Sequence, residues 1–342
     1  MNGKELVNRA IRHEETDCVP SHIDVTPPVR RALEEHFGTN DLAAAMGDDL
    51  AIVGAGTDKP LYADPREVGE LVRDEFGVLW RTSVDDRGAV HEPALAEPTL
   101  DGYAFPDPLR PGRFDAVEPA IDAHRGRFIL GVAGDLFERA HFMRGLDNIL
   151  MDMLLHPAFA HELLDALCEY DLRTLERMAE FDVDGIFISD DYGLQRSLMM
   201  RPATWREFIK PRLARLIAAV RQRGLPTVLH SCGCVVDIIP DLIEIGLAVL
   251  HPVQPEAMDV WAIKREFGAD LCLFGGIGTQ QLLRNGTRDD VRREVERALH
   301  KLGAGGGYIV APSITIQRDC PLANVLALIE AAAQPLRDPC EG

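Results

Sequence analysis

Short apolar segments alternate with amphipathic helical patterns along most of this chain, and this alternation constrains the possible folds most strongly. Runs such as Ile186-Phe187-Ile188 show no polar alternation, which is typical of parallel strands covered on both faces. About eight strands separated by helices predict an α/β fold, a single (β/α)8 TIM barrel spanning residues 1–342. The predicted strands cover residues 19–24, 49–54, 128–134, 185–189, 226–230, 248–251, 271–276 and 307–312.

A doubly wound sheet is the alternative architecture. That fold, when it binds a dinucleotide, carries a Gly-x-Gly-x-x-Gly turn after an early strand. The nearest match is Gly275-Gly276-Ile277-Gly278, which is too short and comes too late in the chain. The sequence therefore favours the barrel.

A long segment, residues 58–125, interrupts the alternation and is rich in proline, glycine and charged residues. Its aromatic residues Trp80, Tyr103 and Phe105 predict packing rather than disorder. Residues 78–80 predict a small strand within it. We interpret the segment as an early insertion that packs at the barrel, as a lid over the site or as a structural element only.

The charge of the chain excludes some partners. Its 36 Lys and Arg against 55 Asp and Glu leave a net charge of −19, which repels nucleic acid and anionic membranes. A polyanionic substrate would need a local basic pocket. The seven cysteines are odd in number and scattered, so no disulfide framework is expected. With no signal peptide and no membrane-spanning apolar run, we expect a cytoplasmic protein with reduced thiols.

The segment that ends in His230, Cys232 and Cys234 carries the strongest chemical signal. A β-branched apolar run leads into these residues, and a helical pattern follows them. They therefore belong at the carboxyl end of a strand, where barrels place their active sites. Imidazole and thiolate are ligands that zinc prefers. The alternative is a buried histidine beside two inert core thiols.

Polar residues also follow the other predicted strands, and in a barrel all of them would share one mouth. The number of acidic residues and potential metal ligands at this mouth is the main reason, from residue types alone, to predict an enzyme. The residues expected at this mouth are Asp24, Asp135, Asp190, Asp191, Tyr192, His230, Cys232, Cys234, His251, Gln254, Gly276 and Gln317.

Adjacent acids at Asp190 and Asp191 point in opposite directions in an extended segment. One of them would face the pocket, where it could orient a substrate, join a metal site or act as a general acid. The alternative is a solvated turn in which a carboxylate caps a helix.

Several further residues have two possible roles each. His251 either lines the site or is a satisfied core histidine. Cys320 follows the last strand and is a candidate metal ligand at the rim. Glu138, Arg139 and Arg144 either bind an anionic or hydroxylated substrate edge or form surface ion pairs.

With these residues in view, the chain resembles the uroporphyrinogen decarboxylase superfamily. The resemblance implies a (β/α)8 barrel with its pocket at the carboxyl ends of the strands. The matching pieces are residues 9–20, Asp190-Asp191-Tyr192-Gly193, residues 202–211, His230-Ser231-Cys232-Gly233, Pro252-Val253-Gln254, residues 274–277 and residues 321–324.

True uroporphyrinogen decarboxylases, one branch of this superfamily, need no cofactor and bind a polycarboxylate tetrapyrrole through arginines just after the first strand. Here residues 21–28 lack that arginine pair, and Arg30 and Arg31 come only later, on a helix. Decarboxylation in tetrapyrrole metabolism is therefore the alternative function, and a non-catalytic binder of a corrinoid or partner is the second alternative.

The other branch, the zinc-dependent corrinoid-linked methyltransferases, is the better match. His230 and Cys232 agree with its His-x-Cys motif, whereas Ile314 stands where the branch has a further cysteine. Cys234 or Cys320 would then complete the metal site, unless a carboxylate or water does.

The resemblance implies methyl transfer between methyl-cobalamin on a partner corrinoid protein and a thiol or folate-type acceptor activated by zinc. A small-molecule acceptor and a corrinoid protein are the implied partners, and a homodimer is possible. Catalytic roles would fall to Asp190, Asp191 and Tyr192, and substrate binding to Asp24, His251, Gln254, Gly276 and Gln317.

Overall fold

The computed structural model describes residues 1–57 and 68–336, and its centre is a ring of parallel strands. Residues 58–67, the start of the predicted insertion, lie outside the described ranges. The strands are, in chain order, β1 (Leu50–Val53), β2 (Leu71–Arg73), β3 (Leu79–Arg81), β4 (Ala89–Glu92), β5 (Phe128–Val132), β6 (Gly185–Ser189), β7 (Thr227–His230), β8 (Val249–Val253), β9 (Cys272–Ile277) and β10 (Tyr308–Pro312).

Helices surround this ring on its outer side. They are α1 (Gly3–Ile11), α2 (Pro27–Phe37), α3 (Leu42–Met46), α4 (Val117–Ala123), α5 (Leu136–Arg144), α6 (Leu146–Leu155), α7 (Pro157–Met178), α8 (Pro202–Phe208), α9 (Lys210–Gln222), α10 (Ile239–Glu244), α11 (Val260–Phe267), α12 (Arg288–Leu302) and α13 (Leu322–Ala332). No helix in the described ranges combines the length and the apolar character that crossing a membrane requires.

Seven strands form one parallel sheet in the order β1-β5-β6-β7-β8-β9-β10. Residues 19–26 close the ring as its eighth member. On one side Ser21 and Val25 form parallel bridges with Val310 and Ile316, and on the other the Asp49 amide donates to the Ser21 carbonyl at 2.9 Å. The predicted (β/α)8 barrel is confirmed, and its first predicted strand is the segment that closes it.

The apolar strands fill two cores because successive side chains point to opposite faces. Phe128, Phe187 and Phe274 belong to the cluster inside the ring. Ile186 and Ile188 belong to the larger cluster between strands and helices. This two-sided burial is the reason that the strands are apolar throughout.

The insertion forms a small antiparallel sheet in the order β2-β3-β4, which includes the predicted strand near residue 80. Trp80 is fully buried there. Its indole N–H donates to the Asp74 carboxylate at 2.9 Å, and its ring packs edge-on against Phe142 of α5 at 4.9 Å. The described part of the insertion is therefore fixed to the barrel through α5.

Two long helices that the sequence predicted are divided in the structure. The helix expected over residues 202–224 breaks between α8 and α9, because Pro211 has no N–H to donate and its ring crowds the preceding turn. The helical stretch expected over residues 136–155 breaks at Gly145, whose φ of 88° lies outside the helical region.

Candidate active site

A cavity of about 620 Å³ opens at the carboxyl ends of the barrel strands. The segment after β10 and the insertion form two of its walls. Its lining includes His22, Asp24, Asp85, Asp86, Arg87, Phe187, Ser189, His230, Cys232, His251, Ile314, Thr315 and Gln317. The cavity therefore lies where the sequence analysis placed the mouth.

Three different ligand types meet at this cavity. One ligand atom from each of Asp191, His230 and Cys232 lies within 4.8 Å of the other two. The His230 Nε2 atom is 3.4 Å from Cys232 Sγ and 3.5 Å from Asp191 Oδ1. Burial raises the pKa of the Cys232 thiol and lowers that of His230, so the imidazole is neutral at pH 7 and its lone pair is available to a metal.

Two glycines bring the loops that carry this triad together. A Cβ atom on Gly193 would lie 2.5 Å from the Cys232 carbonyl oxygen, and one on Gly233 would lie 2.5 Å from the Gly193 backbone. Gly233 also has a φ of 80°, which a residue with a Cβ rarely adopts. Any larger residue would push the loop of Asp191 away from the loop of His230 and Cys232.

Hydrogen bonds then fix the two loops. The Cys232 amide donates to Asp191 Oδ1 at 2.6 Å, and the Tyr192 amide donates to Ser231 Oγ at 2.9 Å. The Gly233 amide donates to Gln254 Oε1 at 3.0 Å. Gln254, predicted to bind substrate, is thus buried beneath the loop and does not line the cavity.

Asp190 points away from the cavity, as expected for one of two adjacent acids. It is fully buried and accepts hydrogen bonds from the Tyr192 hydroxyl and the Glu138 amide, both at 2.6 Å. Burial raises the pKa of Asp190 and of Tyr192. The predicted catalytic set therefore divides into Asp191 at the triad and a buried pair, Asp190 and Tyr192, that joins α5 to the loop.

Arg87 of the insertion is a cavity residue that the sequence analysis did not single out. Its guanidinium pairs with Glu138 and lies 4.5 Å over the ring of Phe142. The only available signal was that the insertion packs at the barrel, because nothing in the sequence pairs Arg87 with a residue 51 positions later.

The interpretation of Glu138 and Arg144 as surface ion pairs is wrong, since both side chains are buried. Arg144 donates to Asp152 Oδ2 at 2.7 Å. Arg139 donates to Asp135 Oδ2 at 2.6 Å, and neither Asp135 nor Arg139 lines the cavity. The reason is that α5 lies beneath the insertion, which removes a helix face from solvent.

The other predicted site residues separate into two groups. Asp24, His251 and Gln317 line the cavity with His230 and Cys232 of the triad. Cys234, Cys320 and Gly276 do not. The Cys234 amide donates to the Leu194 carbonyl, the Cys320 thiol contacts its neighbour Asp319, and Gly276 lines a different cavity with Glu256. Ile314, which the resemblance drawn from the sequence sets against the methyltransferases' further cysteine, contributes an apolar wall.

The buried carboxyl group of Glu138 should make the free energy of unfolding depend on pH. Burial raises its pKa to about 7 from an ordinary value of 4.5, although Arg87 opposes this. The protonated form is therefore favoured in the folded state, so the stabilisation is complete below about pH 4.5 and is lost as the pH rises through 7. Relative to a Glu138→Gln variant, wild type should lose about 3 kcal/mol of unfolding free energy between pH 4.5 and 8. Urea denaturation at each pH measures this, and parallel curves for the two proteins would contradict it.

A barrel in which β6 leads into Asp190-Asp191-Tyr192 and β7 leads into the His230-x-Cys232 turn agrees with the resemblance drawn from the sequence. The chain belongs to the uroporphyrinogen decarboxylase (URO-D) family, which it matches over residues 71–335.

Relatives of both branches are similar to this chain. It is 25% identical to the methylated-thiol–coenzyme M methyltransferase of Methanosarcina mazei, over 90% of this chain and 89% of that protein. It is 26% identical to a uroporphyrinogen decarboxylase of Thermus thermophilus, over 84% of this chain and 80% of that one. The solved structure of a methyltransferase from Methanosarcina mazei shares the fold, with a TM-score of 0.74 and 22% identity across 97% of this chain and 98% of that one.

Proposed function

We propose that this chain is a methyltransferase that moves a methyl group between methyl-cobalamin, carried by a partner corrinoid protein, and a small thiol or folate-type acceptor. In this proposal a zinc ion is held by His230, Cys232 and Asp191. The similarity to a curated methyltransferase over nine-tenths of the chain supports methyl transfer as the reaction class. The open barrel mouth is where we place the corrinoid partner.

The convergence of the three ligand atoms within 4.8 Å carries this proposal. An imidazole nitrogen, a thiolate and a carboxylate oxygen fit zinc, and three protein ligands leave a position for substrate. A zinc ion bound there would supply the positive charge that keeps an acceptor thiol deprotonated at neutral pH. The chain's own contribution is to hold the three ligands, through the bonds to Cys232 N and Gly233 N, before substrate arrives.

The charge of the cavity argues against the decarboxylase alternative. A polycarboxylate would need a basic lining, whereas the acids Asp24, Asp85 and Asp86 line this cavity beside Arg87, whose guanidinium is held by Glu138. Arg30, on α2, is exposed and lies outside the lining. The cavity therefore favours a small substrate with few negative charges.

The test combines metal analysis with a transfer assay. Protein purified without chelators should contain about one zinc per chain and should demethylate methyl-cobalamin when a thiol is added, with the cobalamin absorbance as the readout. Activity that survives complete removal of zinc would contradict the proposal. Decarboxylation of uroporphyrinogen by the metal-free protein would establish the alternative, and corrinoid binding without transfer would indicate a non-catalytic binder.

A matched series of acceptors tests the charge of the cavity. Within the described ranges neither Asp24 nor Asp86 forms an ion pair. We therefore expect the KM of mercaptoethanesulfonate to exceed that of mercaptoethanol by about tenfold, and that of cysteamine to be the lowest. The three thiols share one carbon chain and differ only in the charge at its end.

Two variants provide the comparison for this series. The double variant Asp24→Asn with Asp86→Asn should reduce the differences in KM among the three thiols, because the two negative side-chain charges are then gone. Glu266→Gln removes an exposed acid on α11, outside the lining, and should leave the order unchanged. A wild-type preference for the sulfonate would contradict the prediction.

A further inference from the structure

Two of the histidines that line the cavity, His230 and His251, contact each other through equivalent ring atoms. His230 Nδ1 lies 2.9 Å from His251 Nδ1, while the other nitrogen of His230, Nε2, faces Cys232 and Asp191. The contact follows from the sheet, because His230 of β7 and His251 of β8 are direct partners in the parallel register.

A contact of this length between two ring nitrogens requires one hydrogen between them. When His230 Nε2 acts as a metal ligand, the hydrogen of that ring must be on Nδ1. His230 Nδ1 is then the donor, and His251 Nδ1 is the acceptor. The hydrogen of a neutral His251 ring is consequently on Nε2.

We propose that His251 is a positioning residue, whose Nδ1 accepts the hydrogen bond from His230 Nδ1 and so holds the tautomer and orientation that direct Nε2 at the metal site. The inference rests on the proposed function, because it requires a metal at Nε2. Metal-bound histidines commonly donate their second N–H to a carboxylate or carbonyl. In this chain an imidazole takes that role.

The surroundings of His251 allow it to act in this way. Its ring lies 4.3 Å from that of Phe274 and 5.7 Å from that of Phe187, and its carbonyl accepts from the Ser231 amide at 2.6 Å. Both the ring and the backbone are therefore held. Among the described residues, His251 Nε2 has no hydrogen-bond partner, and His251 lines the cavity. In the tautomer we assign, its N–H is available to a polar atom of the substrate.

Two variants of His251 separate this role from simple packing. In His251→Asn, a side-chain oxygen can occupy the place of Nδ1 and still accept, whereas in His251→Phe the ring shape remains and the acceptor is lost. Competition with a chromophoric chelator should show zinc affinity 10- to 100-fold weaker in the phenylalanine variant and within about threefold of wild type in the asparagine variant. Cobalt-substituted protein should show a changed ligand-field spectrum only for phenylalanine.

A measurement on the unmodified zinc protein tests the inference without any risk of misfolding. Long-range ¹H–¹⁵N correlations report which nitrogen of each imidazole carries the hydrogen. We expect Nδ1–H for His230 and Nε2–H for His251. The opposite tautomer for His251, or unchanged zinc affinity and cobalt spectrum in His251→Phe, would overturn the inference.

The positioning role of His251 and the proposed function would be contradicted by different outcomes. Zinc binding and methyl transfer in a wild type whose His251→Phe variant is unaffected would remove the positioning role and leave the proposed function standing. A wild type that binds no zinc would remove both.

Discussion

Replacing Cys232 by serine should reduce zinc from about one ion per chain to less than about a tenth, and should slow methyl transfer by about 10³-fold. The reason is that the triad holds only one sulfur, so the variant keeps a nitrogen and a carboxylate, which bind zinc poorly without a third ligand. Burial raises the pKa of this thiol, so metal binding must displace its proton and should weaken as the pH falls.

The control is Cys234→Ser, which removes a thiol two residues away and outside the triad. It should keep its zinc and its activity within about twofold of wild type. Metal analysis by mass spectrometry and the cobalamin absorbance assay give the two readouts. Loss of zinc in Cys234→Ser with retention in Cys232→Ser would show that the triad is assigned to the wrong sulfur.

Replacing Asp190 by alanine should lower the free energy of unfolding by about 3 kcal/mol. The carboxylate accepts from the Tyr192 hydroxyl and the Glu138 amide, both buried and both at 2.6 Å. Alanine leaves two donors without an acceptor in a site that water does not reach, and each costs about 1–3 kcal/mol. Relief of the buried carboxylate's own desolvation offsets part of this loss. Urea denaturation at pH 7 measures it.

Two milder substitutions show whether the lost hydrogen bonds cause the loss of stability. Asp190→Asn keeps an acceptor for the Glu138 amide, and its amide group can donate to the Tyr192 oxygen, so the expected loss is about 1 kcal/mol. Tyr192→Phe removes a single bond and should cost a similar amount. Equal losses in the alanine and asparagine variants would show that the hydrogen bonds are not what stabilises this region.

Asp190 and Asp191 are adjacent in the chain but have separate roles. Asp191 lies in the triad with His230 and Cys232, and Asp190 ties α5 to the same loop. A loss of activity in Asp190 variants is therefore expected to accompany a loss of stability, whereas Asp191 variants should lose zinc while retaining most of their stability. The comparison tests whether the buried pair positions the triad or takes part in the chemistry itself.

Local signals determined most of the barrel. Strands such as β6, with Ile186 and Ile188 on one side and Phe187 on the other, are apolar on both faces, and this pattern is readable without any contact information. The pairing of His230 with Cys232 was equally local, because two ligand types sit two residues apart at a strand end. These two residues could therefore be recognised as a pair of candidate metal ligands without knowledge of the rest of the fold.

Tertiary structure decided what completes the site. Proximity to Cys232 favoured Cys234 as a further ligand, and a position after the last strand favoured Cys320. The backbone turns at Gly233 and directs Cys234 away, and the Cys320 thiol contacts its neighbour Asp319. Asp191 came into the triad through a loop contact between Gly193 and Gly233, forty residues apart. Such a contact depends on the shape of two turns, which residue types alone do not encode.

The tertiary structure also decided the roles of the residues around the triad. Glu138 and Arg144 are charged residues of the kind typical of a solvated helix face, but the insertion buries them. Arg87 reaches the cavity from that insertion, and Gln254, which was expected to bind substrate, lies beneath the loop of Cys232 and Gly233. By itself, then, the sequence determined the barrel and its His-x-Cys turn, because periodicity and ligand spacing are local. Only the tertiary structure decided which acid lies beside that turn and which histidine contacts it, because both depend on contacts between distant segments.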